Sequence, residues 1–285
     1  MASLWFKLPS PPIQPVSGTS RYYAMLDAAQ VERFSQRINV SSAVILGRVT
    51  LFGDPIAPDR FDVTPHLFEI RGPNDYVTLT RQLSPAKASH GALTLLVSPL
   101  DLPELATRLK RRMDVKLQDN IDCVNRFFDG RITPHLHACL NDEQRARFFS
   151  VAEQWLVVGH DHEWQSLTCH CTDEEPFTGP LTLNPQQEAY LIDHCYPYAL
   201  IEHFVRTDPE LLDTVEPNQH YSFFQKAIEA AGRYSIEGSS DITLFCTLSL
   251  TRGAGFHEEA PWAEKLQAVR AGMATLQQTL KSIHE

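Results

Sequence analysis

Between Gly91 and Leu140 the chain sets out a strand, a basic helix and a second strand-like run, and this order constrains the fold more than any other stretch. Ala92 to Val97 is a short continuous apolar run closed by Ser98-Pro99, the pattern of a strand buried on both faces. Asp101 followed by Glu104 is a capping-box pattern, after which Leu102, Leu105, Ala106, Leu109 and Met113 recur at helical spacing. Ile121 to Phe128 then reads as a strand that runs into Arg126-Phe127-Phe128-Asp129-Gly130-Arg131. The three pieces predict a β-α-β unit with a right-handed crossover.

Upstream, Pro9, Pro11, Pro12 and Pro15 mark residues 1–20 as a proline-rich extended arm. Tyr22 to Leu26 resembles a strand, Asp27 can cap the next turn, and Val31, Phe34 and Ile38 give the buried stripe of a first helix. Ala43 to Phe52 predicts another strand, ended by Gly53-Asp54-Pro55; a loop from Pro58 to Pro65 leads to a short strand at His66 to Ile70. Downstream, Ile132 to Leu140 and Gln144 to Phe149 are helical fragments separated by the capping pair Asn141-Asp142. Trp155 to Val158 and Trp164 to Cys171 predict a hairpin turning through Gly159 and Asp161-His162-Glu163. The stretch from Thr172 to Pro180, rich in Asp, Glu, Pro and Thr, is the best linker candidate.

The remainder reads as helical. Asn184-Pro185 opens a helix with Tyr190 and Leu191 inward, and Pro197 is expected to interrupt it before Leu200, Ile201, Phe204 and Val205 continue the apolar pattern. Gln219 to Ala231 predicts a helix ended by Gly232, while Asp241 to Leu250 suits strand or helix by propensity. Trp262, Leu266, Val269, Met273, Leu276, Leu280 and Ile283 form the seam of one amphipathic helix, packed on its own lobe or offered to a partner helix. The expected fold is an α/β N-terminal lobe, a mixed sheet with a β-α-β unit, followed by a mainly α-helical lobe. The expected divisions are 1–20 arm, 21–171 α/β lobe with terminal hairpin, and 181–285 helical lobe.

The 43% hydrophobic content of this 285-residue chain can fill sizeable cores. No apolar run nears the ~18 residues of a membrane span, and prolines break the N-terminus before a signal-peptide core forms, so the expectation is a soluble cytoplasmic protein. Six irregularly spaced cysteines suit reduced thiols. A formal net charge of −10 disfavours nucleic acid as a partner.

No nucleophile elbow, phosphate loop, dinucleotide fingerprint or His-Glu-x-x-His pattern occurs. On paired strands His160 and His162 could meet Cys169 and Cys171 around tetrahedral zinc, although the spacing matches no recognised zinc signature. Arg108, Lys110, Arg111, Arg112 and Lys116 gather on one helix of a net acidic chain. That face is either solvated, its cations favouring the helix C-terminus, or a docking surface for an acidic protein segment.

Gly91 to Ser98, then Leu105-x-x-x-Leu109-Lys110-Arg111, then Arg126 to Arg131 with Leu136 and Leu140 behind, resembles the core motif of the type VI secretion effector adaptors, also called effector chaperones. That motif is roughly Arg-Phe-aromatic-Asp-Pro-Arg at a strand end, after a Leu-rich helix with basic residues. Tyr23 to Ala29 looks like the family's opening strand and helix start, Leu51-Phe52 and Pro65-His66-Leu67 match its middle, and the Trp155 to Trp164 hairpin comes next in place. The resemblance covers about residues 20–165 and extends more loosely to 285; Gly130 departs from it, standing where the family has proline. It implies a non-enzymatic, cofactor-free protein that binds a toxic effector in the cytoplasm and helps load it onto a trimeric spike protein. Arg126, Asp129 and Arg131 would then either pin the strand end onto the helical lobe by charge-assisted bonds or, with Phe128, form exposed anchors for a partner. Competing readings are a zinc-dependent enzyme or metal-stabilised module built on the His160/His162/Cys169/Cys171 hairpin, and a subunit that self-associates through the terminal seam.

Overall fold

The computed structural model describes residues 10–14, 18–39, 41–52, 61–72, 74–83 and 89–284. Most of the proline-rich arm, the Gly53-Asp54-Pro55 turn and the start of the loop after it lie outside the described residues. The chain forms two compact units, residues 1–192 and 193–285. An N-terminal sheet lobe is followed by a mainly helical region, as the element pattern predicts.

The strands are β1 (Arg21–Asp27), β2 (Ile45–Thr50), β3 (Pro65–Ile70), β4 (Leu93–Ser98), β5 (Asp114–Lys116), β6 (Asp122–Val124), β7 (Gln154–Val158), β8 (Trp164–Leu167) and β9 (Leu181–Thr182). Six of them form one sheet in the order β2-β3-β1-β4-β7-β8, with every pairing antiparallel. Its central strands are buried on both faces. Tyr23, Met25 and Leu96 enter one core cluster, and Ala24, Leu26 and Leu95 enter another on the opposite face. Period-two alternation along β1 and β4 therefore feeds two cores, which is why both read as unbroken apolar runs.

Helices α1 (Phe34–Arg37) and α2 (Tyr76–Leu83) supply Phe34, Tyr76 and Leu79 to the second cluster. α2 has no counterpart in the sequence reading; its signal is the spacing of Tyr76 and Leu79 after Asn74-Asp75. On the other face α3 (Leu102–Arg111) brings Leu105, Ala106 and Leu109 against Tyr23 and Trp155. Asp101 caps it by accepting the Glu104 N–H at 2.9 Å. The Glu104 carboxylate does not return to the cap; it accepts from Arg108 Nε at 2.7 Å.

The predicted β-α-β unit is divided between two sheets. β4 already has β1 on one side and β7 on the other, so the strand after α3 finds no free edge beside it. β5 instead centres a small sheet ordered β6-β5-β9, antiparallel to β6 and parallel to β9. The expected strand at Ile121 to Phe128 is reduced to β6. Helices α4 (Thr133–Cys139) and α5 (Asp142–Phe148) come next, the latter closed by a reciprocal Asn141/Gln144 capping box.

α6 (Pro185–Thr207) runs unbroken through Pro197, contrary to expectation. Proline there denies the Asp193 carbonyl its helical partner, at a cost of about 3 kcal/mol, which the burial of Tyr198, Leu200 and Phe204 along the same helix offsets. In the second unit α7 (Pro209–Leu212), α8 (His220–Arg233), α9 (Ser239–Arg252), α10 (Trp262–Arg270) and α11 (Leu276–His284) enclose Phe204, Phe224, Phe245 and Leu266. The ambiguous Asp241 to Leu250 segment lies in α9. The single terminal helix is two: Gly272 takes φ 69° and Met273 N–H closes on the Ala268 carbonyl at 2.9 Å. The seam folds back within its own unit, Lys265 Nζ donating to Ser282 O at 2.6 Å, and Trp262, Leu266 and Leu276 are buried while Met273 is exposed.

Candidate functional site

After β6 the chain drops Phe127 into the core, where its ring meets Phe128, Phe148 and Trp155 edge-on at 5.9, 5.8 and 6.1 Å. The Asp129 carboxylate, 0% exposed, accepts from Arg131 N–H and Nε at 3.0 Å and from Arg131 Nη2 at 2.8 Å. Arg126 Nη2 lies 3.5 Å from the same carboxylate and donates to Asp27 Oδ2 at 2.9 Å. Asp27, also buried, accepts the Ala29 N–H at 3.2 Å and Gln30 Nε2 at 2.8 Å. Two buried carboxylates on separate elements are thus neutralised by two arginines, satisfying the demand that buried charge be paired.

Gly91, at the entry to β4, closes the arrangement. Its carbonyl accepts the Gly130 N–H at 2.8 Å. A Cβ on Gly91 would stand 2.5 Å from Arg131 Cγ and 2.9 Å from Arg131 N, so the close approach requires glycine. Gly130 supplies an N–H that a proline at this position would lack.

Only part of this cluster reaches water. The Arg126 side chain is 44% exposed and Arg131 11%. Phe128 is buried, with the Arg126 guanidinium 5.8 Å from its ring centre. The exposed aromatic is Phe52, edge-on to Phe128 at 5.9 Å. Phe52, Asp27 and Gly91 are the partners that sequence reasoning did not assign to the site.

The basic residues of α3 divide in the same way. Arg112 is fully buried, donating to the Phe148, Arg108 and Arg147 carbonyls at 2.6, 2.7 and 3.1 Å and to Ser150 Oγ at 2.9 Å. Its two terminal nitrogens grip Glu175 at 2.8 and 2.9 Å, and its plane lies 4.8 Å from the Phe177 ring centre. Arg108, also buried, donates to the Thr172 and Asp173 carbonyls at 2.8 and 2.6 Å. Burial pushes the Glu175 carboxyl up, but the hydrogen bonds and charge of Arg112 outweigh it and hold the group below the ordinary carboxylate range. The Thr172 to Pro180 segment, irregular in backbone, is therefore strapped to α3. Lys110 and Arg111 stay exposed.

The hairpin separates the proposed zinc ligands. The register Val158↔Trp164 and Trp155↔Leu167 puts His160 and His162 in the turn, and Cys169 and Cys171 beyond the opposite end of the ladder. His162 packs against His90 at 5.3 Å, whose ring burial, helped by the charges of His162 and Arg131, pushes down to about 3. Burial, then Cys171, pushes the Cys169 thiol up to about 12. That disfavours the thiolate a metal or a nucleophile requires. Among the described residues no group of three or more His, Cys, Asp or Glu is placed to hold a metal ion. None of the six cysteines is joined in a disulfide. Among the described residues no helix is long and apolar enough to cross a membrane.

Residues 22–147 match the model of a family described as a domain of unknown function, DUF4123. The match takes in α3, Gly91 and the Arg126 to Arg131 motif. No curated protein and no solved structure matches the chain.

Proposed function

We propose that this protein is a non-enzymatic adaptor that binds a toxic effector in the cytoplasm and loads it onto the trimeric spike protein of a type VI secretion system. The observation that carries this reading is the match of residues 22–147 to a family of type VI effector adaptors. The geometry supports it in a second way: the charged groups at the motif are used to hold one another. Such a protein works by binding and release, so each dissociation constant belongs between about 1 μM and 1 nM, roughly −8 to −12 kcal/mol.

The docking groups are those that reach solvent: Arg126 with Phe52 beside it, and Lys110 with Arg111 on the outer face of α3. Arg108, Arg112, Phe128, Asp129 and Arg131 lie behind them and set their positions. Arginine and aromatic side chains over a rigid base are the usual anchors of protein interfaces.

A tagged pull-down from native lysate at moderate salt, with the secretion genes expressed, tests the proposal. Recovery of a spike protein together with a toxin-like protein is expected; Lys110→Glu/Arg111→Glu should reduce it with an unchanged melting temperature, and Arg126→Ala should reduce it by more than its small loss of stability explains. If the wild-type protein comes down alone across a range of salt, the adaptor reading fails.

A further inference from the structure

The small sheet carries an open edge. β6 bonds to β5 through Cys123, opposite Val115, and the flanking bonds are Leu117 N–H to Ile121 O at 2.9 Å and Asn125 N–H to Met113 O at 2.6 Å. Bonded and non-bonded pairs alternate along an antiparallel ladder. The backbone N–H and C=O groups of Asp122 and Val124 therefore point away from β5. Among the described residues no strand lies on that side. Ile121 and Val124 are 55% and 54% exposed, and a hollow lined by Asp114, Asp122, Cys123, Val124 and Pro180 runs beside them.

Side-chain direction adds a pattern. Asp114 sits opposite Val124 and Lys116 opposite Asp122, so these four share the solvent face while Cys123 packs inward against the core. Proteins blunt such edges by shortness, charge, proline or a bulge. β6 is short and carries one charge, the acidic Asp122, but it has no proline and no bulge, and its outward backbone groups stay open to an added strand. Lys116 approaches Asp122 at 4.0 Å; among the described residues no cation is paired with Asp114.

We propose that β6 is a docking edge for an extended segment of a partner protein, which joins the small sheet as an added antiparallel strand. The segment presents an apolar residue opposite Val124 and, two positions on, a lysine or arginine opposite Asp122, because directly opposed side chains are the unit of recognition between strands. The two carboxylates select this occupant over a second copy of β6, which would set Asp122 against Val124 and gain no ion pair. The inference rests on the sheet edge alone and goes beyond the adaptor reading.

A fluorescein-labelled synthetic peptide of the repeat Val-Thr-Lys-Thr, titrated against the full chain by anisotropy, tests it. Saturable binding is expected, with slowed hydrogen exchange at the Asp122 and Val124 amides. Val124→Pro removes an outward N–H that β5 does not use and should weaken binding about tenfold at an unchanged melting temperature. Asp122→Lys should transfer the preference to a Val-Thr-Glu-Thr peptide. If Val124→Pro unfolds the chain, the charge swap and a peptide N-methylated on alternate residues carry the same test, N-methylation being expected to abolish binding. Absence of binding at millimolar peptide, or equal binding by a natively stable Val124→Pro protein, overturns the proposal. So does a dimer that forms with concentration and is lost in Val124→Pro, which would assign the edge to a second copy.

Discussion

Arg131 holds Asp129 with two side-chain nitrogens and its own N–H in a place that water does not reach. Removing that guanidinium leaves a buried carboxylate with Arg126 as its remaining cation, so Arg131→Ala should cost about 3 kcal/mol in urea unfolding. Arg126 is far more exposed, and buried Asp27 keeps the Ala29 N–H and Gln30 Nε2 as donors when it is removed, so Arg126→Ala should cost less, about 1–2 kcal/mol. The reverse order would mean that Arg126, not Arg131, supports the motif. His66 makes a second residue-scale case. It is buried among Phe34, Phe61 and Phe68, donates from Nε2 to the Phe61 carbonyl at 2.9 Å, and among the described residues its buried Nδ1 meets no partner. Burial, with Arg48 acting in the same direction against the Phe61 carbonyl and Asp62, pushes it down to about 4. Its folded value lies below the unfolded 6.5, so as pH falls through that window the unfolded chain takes a proton the folded chain refuses, and stability is lost. His66→Phe should make stability less steep between these pH values by about 1.4 kcal/mol per unit, one proton's worth, in denaturant titrations. An unchanged slope would place the proton elsewhere. At this scale Asp27 shows what a sequence yields: its capping role is local and legible, whereas its bond to Arg126 crosses 99 positions and leaves no local trace.

The α3 helix shows the same division between elements. Its cap and inner stripe follow from short-range spacing, and so does the burial of β4 on both faces. Periodicity states how much of an element is buried but not which edge it joins, and so the strand after α3 was assignable while its sheet was not. The terminal seam failed for a related reason, since a regular apolar spacing continues across Gly272 although the helix does not. The burial of Arg108 and Arg112 was equally invisible, because a basic helix face looks solvated until the carbonyls and carboxylate that cover it arrive from residues 147–175. Glu175→Gln keeps the shape of that strap and removes its charge, leaving Arg112 buried among neutral acceptors. A loss of about 3 kcal/mol is expected, with a smaller loss in Arg112→Leu/Glu175→Leu than in Glu175→Gln, measured by chemical denaturation. A double variant less stable than the single one would show that the carbonyl bonds, rather than the ion pair, dominate.

Two separate sets of cores underlie the whole molecule. The clusters built on Tyr23, Leu96 and Trp155 and on Phe34 and Leu95 belong to residues 1–192, and the cluster of Phe204, Phe224, Phe245 and Leu266 belongs to residues 193–285. The division falls inside α6, on the turn where Pro197 removes the Asp193 hydrogen bond. The family match and the motif lie within the first unit. A change from alternating strand and helix to continuous helix announced the two parts, because each part must bury its own apolar periodicity. A fragment of residues 184–285 keeps α6 whole with Asn184, whose side chain accepts the Gln187 N–H at 2.9 Å while Gln187 Oε1 accepts the Asn184 N–H at 3.0 Å. It also contains every buried residue of the helical core. It should therefore fold alone, giving a helical circular-dichroism spectrum and one calorimetric transition of about 0.7 kcal/mol per residue near 60 °C. A helical spectrum with no sharp transition and strong dye binding would instead mark a loosely packed state, and would mean that the aromatic core of residues 193–285 does not set its own packing.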